Sequence, residues 1–97
     1  MGLLGKIKTE KLKETMVKGY DKGFDIIITL WKESYRGIIM YRVYSELTYN
    51  GELFDIIEYY VTYKRKKSER YFSMLESRYP EERRNRKVFL NRKETTI

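Results

Sequence analysis

Lys64, Arg65, Lys66 and Lys67 are four consecutive cationic side chains, Arg70 follows within a helical turn, and Arg83, Arg84, Arg86 and Lys87 form a second cluster that Arg92 and Lys93 extend. Side chains of this type and density do one kind of chemistry well: they neutralise phosphates or carboxylates on a partner without needing sequence-specific geometry. Tyr63, Tyr71 and Tyr79 are interleaved with them and could stack on bases or hold ribose. Residues 1–63 carry nine Lys/Arg against nine Asp/Glu, whereas 64–97 carry twelve against five, so the whole formal charge of +7 lies in the last third. A balanced body followed by a cationic segment points to a basic surface over residues 64–93 meeting nucleic acid, DNA or RNA, or an acidic protein surface. The competing explanation is a solvated face that serves solubility alone.

Catalytic chemistry finds little support. There is no His and no Cys, which removes the usual acid/base at neutral pH, the thiolate nucleophile and the commonest metal ligands. With only three Asp, and no Asp or Glu followed two positions on by Lys, a metal-dependent nuclease lacks its carboxylate cluster. No catalytic residue, metal or cofactor is expected, and the chain reads as a non-enzymatic binding protein. The remaining enzymatic option is a metal-free ribonuclease using Arg, Lys and Tyr.

Elements must position these residues. Thr9 as a cap, Glu10 in a first turn, Leu12, Met16 and Tyr20 at i, i+4, i+8, and Gly23 after the end predict a helix over 9–22. From Phe24 the period is two: Phe24, Ile26, Ile28 and Leu30 point one way, and Asp25, Ile27, Thr29 and Trp31 the other, which predicts a strand. Residues 38–47 alternate again, with Ile39, Tyr41, Val43 and Leu47 opposite Arg42, Tyr44 and Glu46. Asn50-Gly51 marks a hairpin. A three-residue loop is expected there, because it sets Leu47 opposite Leu53, Val43 opposite Ile57, Ile39 opposite Val61 and Arg42 opposite Glu58. Cross-strand pairs of that kind are worth roughly 0.2–1 kcal/mol each. Residues 52–63 also fit a helical period as part of a helix over 52–78, but Ile56 to Tyr63 is dense in β-branched and aromatic residues, and a strand is favoured. Ser68 then caps a helix bearing Tyr71, Phe72, Leu75 and Tyr79, and Pro80 opens a further basic helical segment. The expected fold is α+β in the order α-β-β-β-α: an N-terminal helix, a three-stranded antiparallel meander, and a C-terminal basic helix or helices. Residues 1–97 form one domain, with 1–8 and 92–97 frayed.

That order over residues 9–78 resembles the double-stranded-RNA-binding domain, in which a Lys-rich turn opening the second helix straddles phosphates. Lys64, Arg65, Lys66, Lys67 and Arg70 lie where the resemblance implies such a turn. The chain departs from the family in having Glu33-Ser34-Tyr35-Arg36-Gly37 in place of a Gly-Pro-x-His loop, and in lacking a small, Ala-rich second helix. Residues 39–47, with Tyr41-Arg42-Val43-Tyr44, resemble the core strand of bacterial mRNA-cleaving toxins, which carry more helix before the sheet. In composition alone (no Cys, His, Ala or Gln, and abundant Ile, Tyr, Lys, Arg and Glu) the chain resembles small orphan proteins of hyperthermophilic archaeal viruses.

Ninety-seven residues bury a modest core. If helices cover one side of the sheet only, Trp31, Ile27, Tyr44 and Tyr60 leave an apolar patch on the other, and a homodimer is expected. The longest apolar run, residues 26–31, is far short of the roughly 20 residues of a membrane span. Residues 1–5 lack the flanks and length of a signal peptide. An intracellular protein is expected, in the host cytoplasm if viral.

Overall fold

The computed structural model describes residues 6–95, with side chains over 6–85. Four strands, β1 (Lys8–Asp21), β2 (Phe24–Tyr35), β3 (Ile38–Tyr49) and β4 (Glu52–Thr62), precede a single helix, α1 (Arg65–Thr95). The strands form one antiparallel sheet in the order β1-β2-β3-β4, each paired with its sequence neighbour. The architecture is therefore β-β-β-β-α, and it corrects the expected α-β-β-β-α order: the segment read as an N-terminal helix is an edge strand. Of the ends expected to fray, 1–8 and 92–97, residues 1–5 and 96–97 fall outside the described residues, Lys8 opens β1 and 92–95 belong to α1.

Two irregularities explain why β1 carries a helical signature. Its register against β2 slips between Lys11 and Lys13, and again between Val17 and Asp21. Gly19 adopts φ +62, a left-handed conformation that a side chain resists, and its N–H bonds the Asp25 carboxylate at 2.8 Å. The inserted residues bring both Leu12 and Tyr20 to the core side, while Met16, between them at helical spacing, points to the opposite face. Helix propensity is worth a few tenths of a kcal/mol per residue. Pairing a strand against the Ile26–Leu30 run outweighs it.

The β3–β4 connection is a two-residue turn, with Asn50 at φ 51 and Gly51 at φ 87 and Tyr49 paired to Glu52. This corrects the expected three-residue loop. β4 instead accommodates its side chains by carrying one extra residue at Phe54 and another at Ile57. The result pairs Val43 with Tyr60, Arg42 with Val61 and Ser45 with Glu58.

Alternation along β2 and β3 is as expected. Ile26, Ile28, Leu30, Tyr41 and Val43 face α1 and, with Val17, Phe72, Leu75 and Tyr79, make the core. α1 crosses the sheet from the end of β4 toward β1: Phe72 meets Lys13, Glu76 accepts a 2.5 Å hydrogen bond from Thr15, and Arg83 donates to the Lys18 carbonyl at 2.7 Å. It is one helix, continuous through Pro80.

Candidate polyanion interface and the open sheet face

The helix begins as a cationic structure. Lys64 is its cap residue; its N–H bonds Thr62 Oγ1 at 3.1 Å and its carbonyl accepts the Ser68 N–H at 3.2 Å. Ser68, expected as the cap, instead lies inside α1, fully buried, with its hydroxyl donating to the Arg65 carbonyl. The first turn holds Arg65, Lys66 and Lys67 and no acidic residue. Positive charge at a helix N-terminus opposes the macrodipole, at a cost of about 0.3–1 kcal/mol per side chain. Lys64, Lys66, Lys67 and Arg70 are exposed and have no side-chain partner among the described residues. Their charge is not offset by an ion pair among the described residues.

From there an outward ridge runs along α1 through Lys66, Arg70, Ser73, Ser77, Glu81 and Arg84, all exposed and spaced at three or four residues. The two serines hold no bulk and leave the middle of the ridge low. Arg84 lies about 21 Å along the axis from Arg70 at 1.5 Å per residue, so the two basic clusters do not converge.

The other expected site residues separate by partner. Arg65 is drawn to Glu69 at 3.3 Å. Arg83 is half-buried and turned toward β1, where it holds the Lys18 carbonyl. Arg86 and Lys87 belong to the α1 backbone, and their side chains lie outside the described residues. Tyr71 and Tyr79 are packing residues: Tyr71 stacks on Tyr60 at 4.4 Å and donates to Glu58, and Tyr79 is buried against Ser45. Of the three interleaved tyrosines only Tyr63, 69% exposed, is available to a partner.

Arg78, on the inward-leaning flank of α1, is bound to the Glu58 carboxylate and lies 3.6 Å from Glu82. The Arg78 guanidinium holds the Glu58 carboxyl below the usual carboxylate range; partial burial acts the other way, and the Tyr71 hydroxyl adds to the lowering. Burial pushes the Tyr71 and Tyr79 phenols up. Arg78 was not singled out by its sequence context, because nothing local marks Glu58 as its partner twenty residues away.

The opposite face of the sheet is not covered by any element among the described residues. It displays Met16 on β1, Ile27 and Trp31 on β2, Met40 and Tyr44 on β3, and Ile56, Tyr59 and Val61 on β4. The expected patch of Trp31, Ile27 and Tyr44 is there, but Tyr60 faces α1 and Tyr59 stands in its place; the bulge at Ile57 makes the exchange. Two ion pairs close on this face, and Glu46 stands on it without one among the described residues. Glu33 pairs with Arg42 and Lys11 with Glu14, each at 2.6 Å, and Lys11 lies over the Trp31 ring. Two shallow hollows flank the Glu33–Arg42 pair: one of about 260 Å³ beside Tyr35, Ile38 and Tyr63, and one of about 400 Å³ beside Trp31, Tyr44 and Ile56.

Among the described residues no group of three or more His, Cys, Asp or Glu side chains could hold a metal ion. No helix among them is long and apolar enough to cross a membrane. Neither a protein-family model nor a curated protein nor a solved structure matches this chain.

Proposed function

We propose that this protein is a non-enzymatic binding module that attaches to a phosphate-bearing polyanion, a nucleic acid, through the N-terminal end of α1 and its outward ridge, as a homodimer with two such ends. The observation that carries the reading is the first turn of α1. A helix ordinarily gains stability from Asp or Glu there. This one holds Arg65, Lys66 and Lys67 behind Lys64, leaves three of the four without an ion pair, and continues into an exposed Arg70. Cations kept where they oppose the macrodipole reduce fold stability and raise the local positive potential together, the combination expected of a binding surface rather than of a solvated face. Tyr63 beside Lys64 supplies one exposed ring able to stack on a base. Contacts of this kind position a backbone and do not read sequence.

The test uses Lys66→Glu/Lys67→Glu. Both positions are exposed, and the change restores the preferred charge to the first turn, so the variant should unfold at a denaturant midpoint equal to or above that of the wild type, a gain of about 1 kcal/mol. Its affinity for duplex DNA, duplex RNA or single strands, read by fluorescence anisotropy, should fall by at least about tenfold and evenly across sequences. Wild-type protein that binds none of the three overturns the reading. So does a variant that is more stable and binds as before.

A further inference from the structure

We infer that the open face of the sheet is an interface for a second copy of this chain, packed sheet against sheet with the two α1 helices outermost. Four strands at about 4.8 Å spacing are some 19 Å wide, and the twelve-residue β2 and β3 run about 40 Å, which gives a face of roughly 750 Å². A standard stable interface takes about 800 Å² from each partner. One helix about 10 Å across cannot cover such a sheet, and α1 already lies on the other side. The natural cover of matching size and shape is another sheet, as in aligned sheet packing.

Charge selects the same occupant. The two cations at the middle of the face are already engaged, Arg42 by Glu33 and Tyr59, and Lys11 by Glu14. With both pairs closed internally, a neutral apolar surface can be laid on them without leaving either ion alone. Glu46 has no such partner among the described residues, but it borders the 400 Å³ hollow, which has room for water beside the carboxylate. Met16 and Ile56, 48% and 47% exposed, close the ends of one cross-sheet row and would fill the facing hollows of the other copy. The inference rests on the homodimer of the proposed function and names its interface; it uses none of the residues of α1, so its failure leaves the polyanion contact standing.

Trp31, the only tryptophan of the chain, lies on this face and reports its occupation directly. In wild-type protein, raising the concentration from about 0.1 to 100 µM should shift Trp31 emission to the blue and reduce its quenching by acrylamide at least about twofold, while light scattering moves from one to two times 11.9 kDa. Met16→Lys/Ile56→Lys, both on exposed positions, should keep the circular dichroism of the wild type, stay at 11.9 kDa and retain a fully quenchable Trp31 across the range. A wild type that remains monomeric at 100 µM overturns the inference. A dimer in which Trp31 quenching does not change with concentration also overturns it, since its interface lies elsewhere, and that measurement holds even if the variant fails to fold.

Discussion

The Tyr79 hydroxyl meets Ser45 Oγ at 2.7 Å inside the core, and Arg78 reaches the same phenol at 3.2 Å. Ser45 is fully buried on a central strand, paired with Ile28, so Tyr79 satisfies a hydroxyl held away from solvent. Tyr79→Phe should therefore lower stability by about 1–2 kcal/mol, and adding Ser45→Ala should recover part of the loss, because removing both hydroxyls leaves neither of them buried and unpaired; denaturant midpoints of the two variants decide it. Glu58 makes a second residue-level prediction. Its carboxyl sits below its unfolded value because of Arg78 and Tyr71, so the stability it contributes is present above about pH 4.3 and is lost as pH falls through the folded value. Glu58→Gln should flatten that acid limb of the stability–pH curve while lowering stability at pH 7 by about 1–2 kcal/mol. An unchanged acid limb would show that the pair does not couple to folding. Neither pairing is legible in the sequence, since Ser45 to Tyr79 and Glu58 to Arg78 depend on where α1 crosses the sheet.

At the scale of elements, the informative residues are the ones that break a period. β2 and the body of β3 alternate without interruption, and their two faces were readable residue by residue from Phe24 to Trp31. β1 and β4 each contain two register slips, and each slip replaces a clean period of two with spacings near three or four. Leu12, Met16 and Tyr20 mimic a helix for that reason, and Leu53, Ile56, Ile57 and Tyr60 nearly do so. The Asn50-Gly51 turn shows the same effect: without bulges a two-residue loop sets Val43 opposite Glu58 and Glu46 opposite Asp55, and the extra residues at Phe54 and Ile57 remove both poor pairings. Gly51 sits at φ 87 with open space where a Cβ would be, so only its backbone conformation resists substitution. Gly51→Ala should cost about 1–2 kcal/mol in thermal or denaturant unfolding and leave the sheet register intact. A neutral Gly51→Ala would mean that the turn is not held in this form.

Across the whole molecule, apolar surface and charge are sorted to opposite sides of a thin plate. Cα extents of 64 × 27 × 15 Å and a radius of gyration of 17.1 Å, against about 12.5 Å for a compact chain of this length, describe an elongated body, in which the described residues form two layers, one sheet and one helix. One side is the sheet face with Trp31, Tyr44 and Tyr59, where Arg42 and Lys11 are paired, and the other is the helix whose exposed end carries Lys64, Lys66, Lys67 and Arg70. The separation was partly visible beforehand: the location of the excess charge and the apolar patch opposite the core follow from counting and from a period of two. Which cations are free was not, because it depends on pairings such as Arg78 with Glu58 and Arg83 with the Lys18 carbonyl that only the packed helix creates. The central claim, that the free cations at the start of α1 engage phosphates, is tested most directly by the salt dependence of binding. With four or five cations releasing counterions from duplex DNA, log K against log[salt] should fall with a slope of roughly −3.5 to −4.5, and Lys66→Glu/Lys67→Glu should reduce that slope by about 2 or more. A slope near zero, or one that the variant leaves unchanged, would contradict the account.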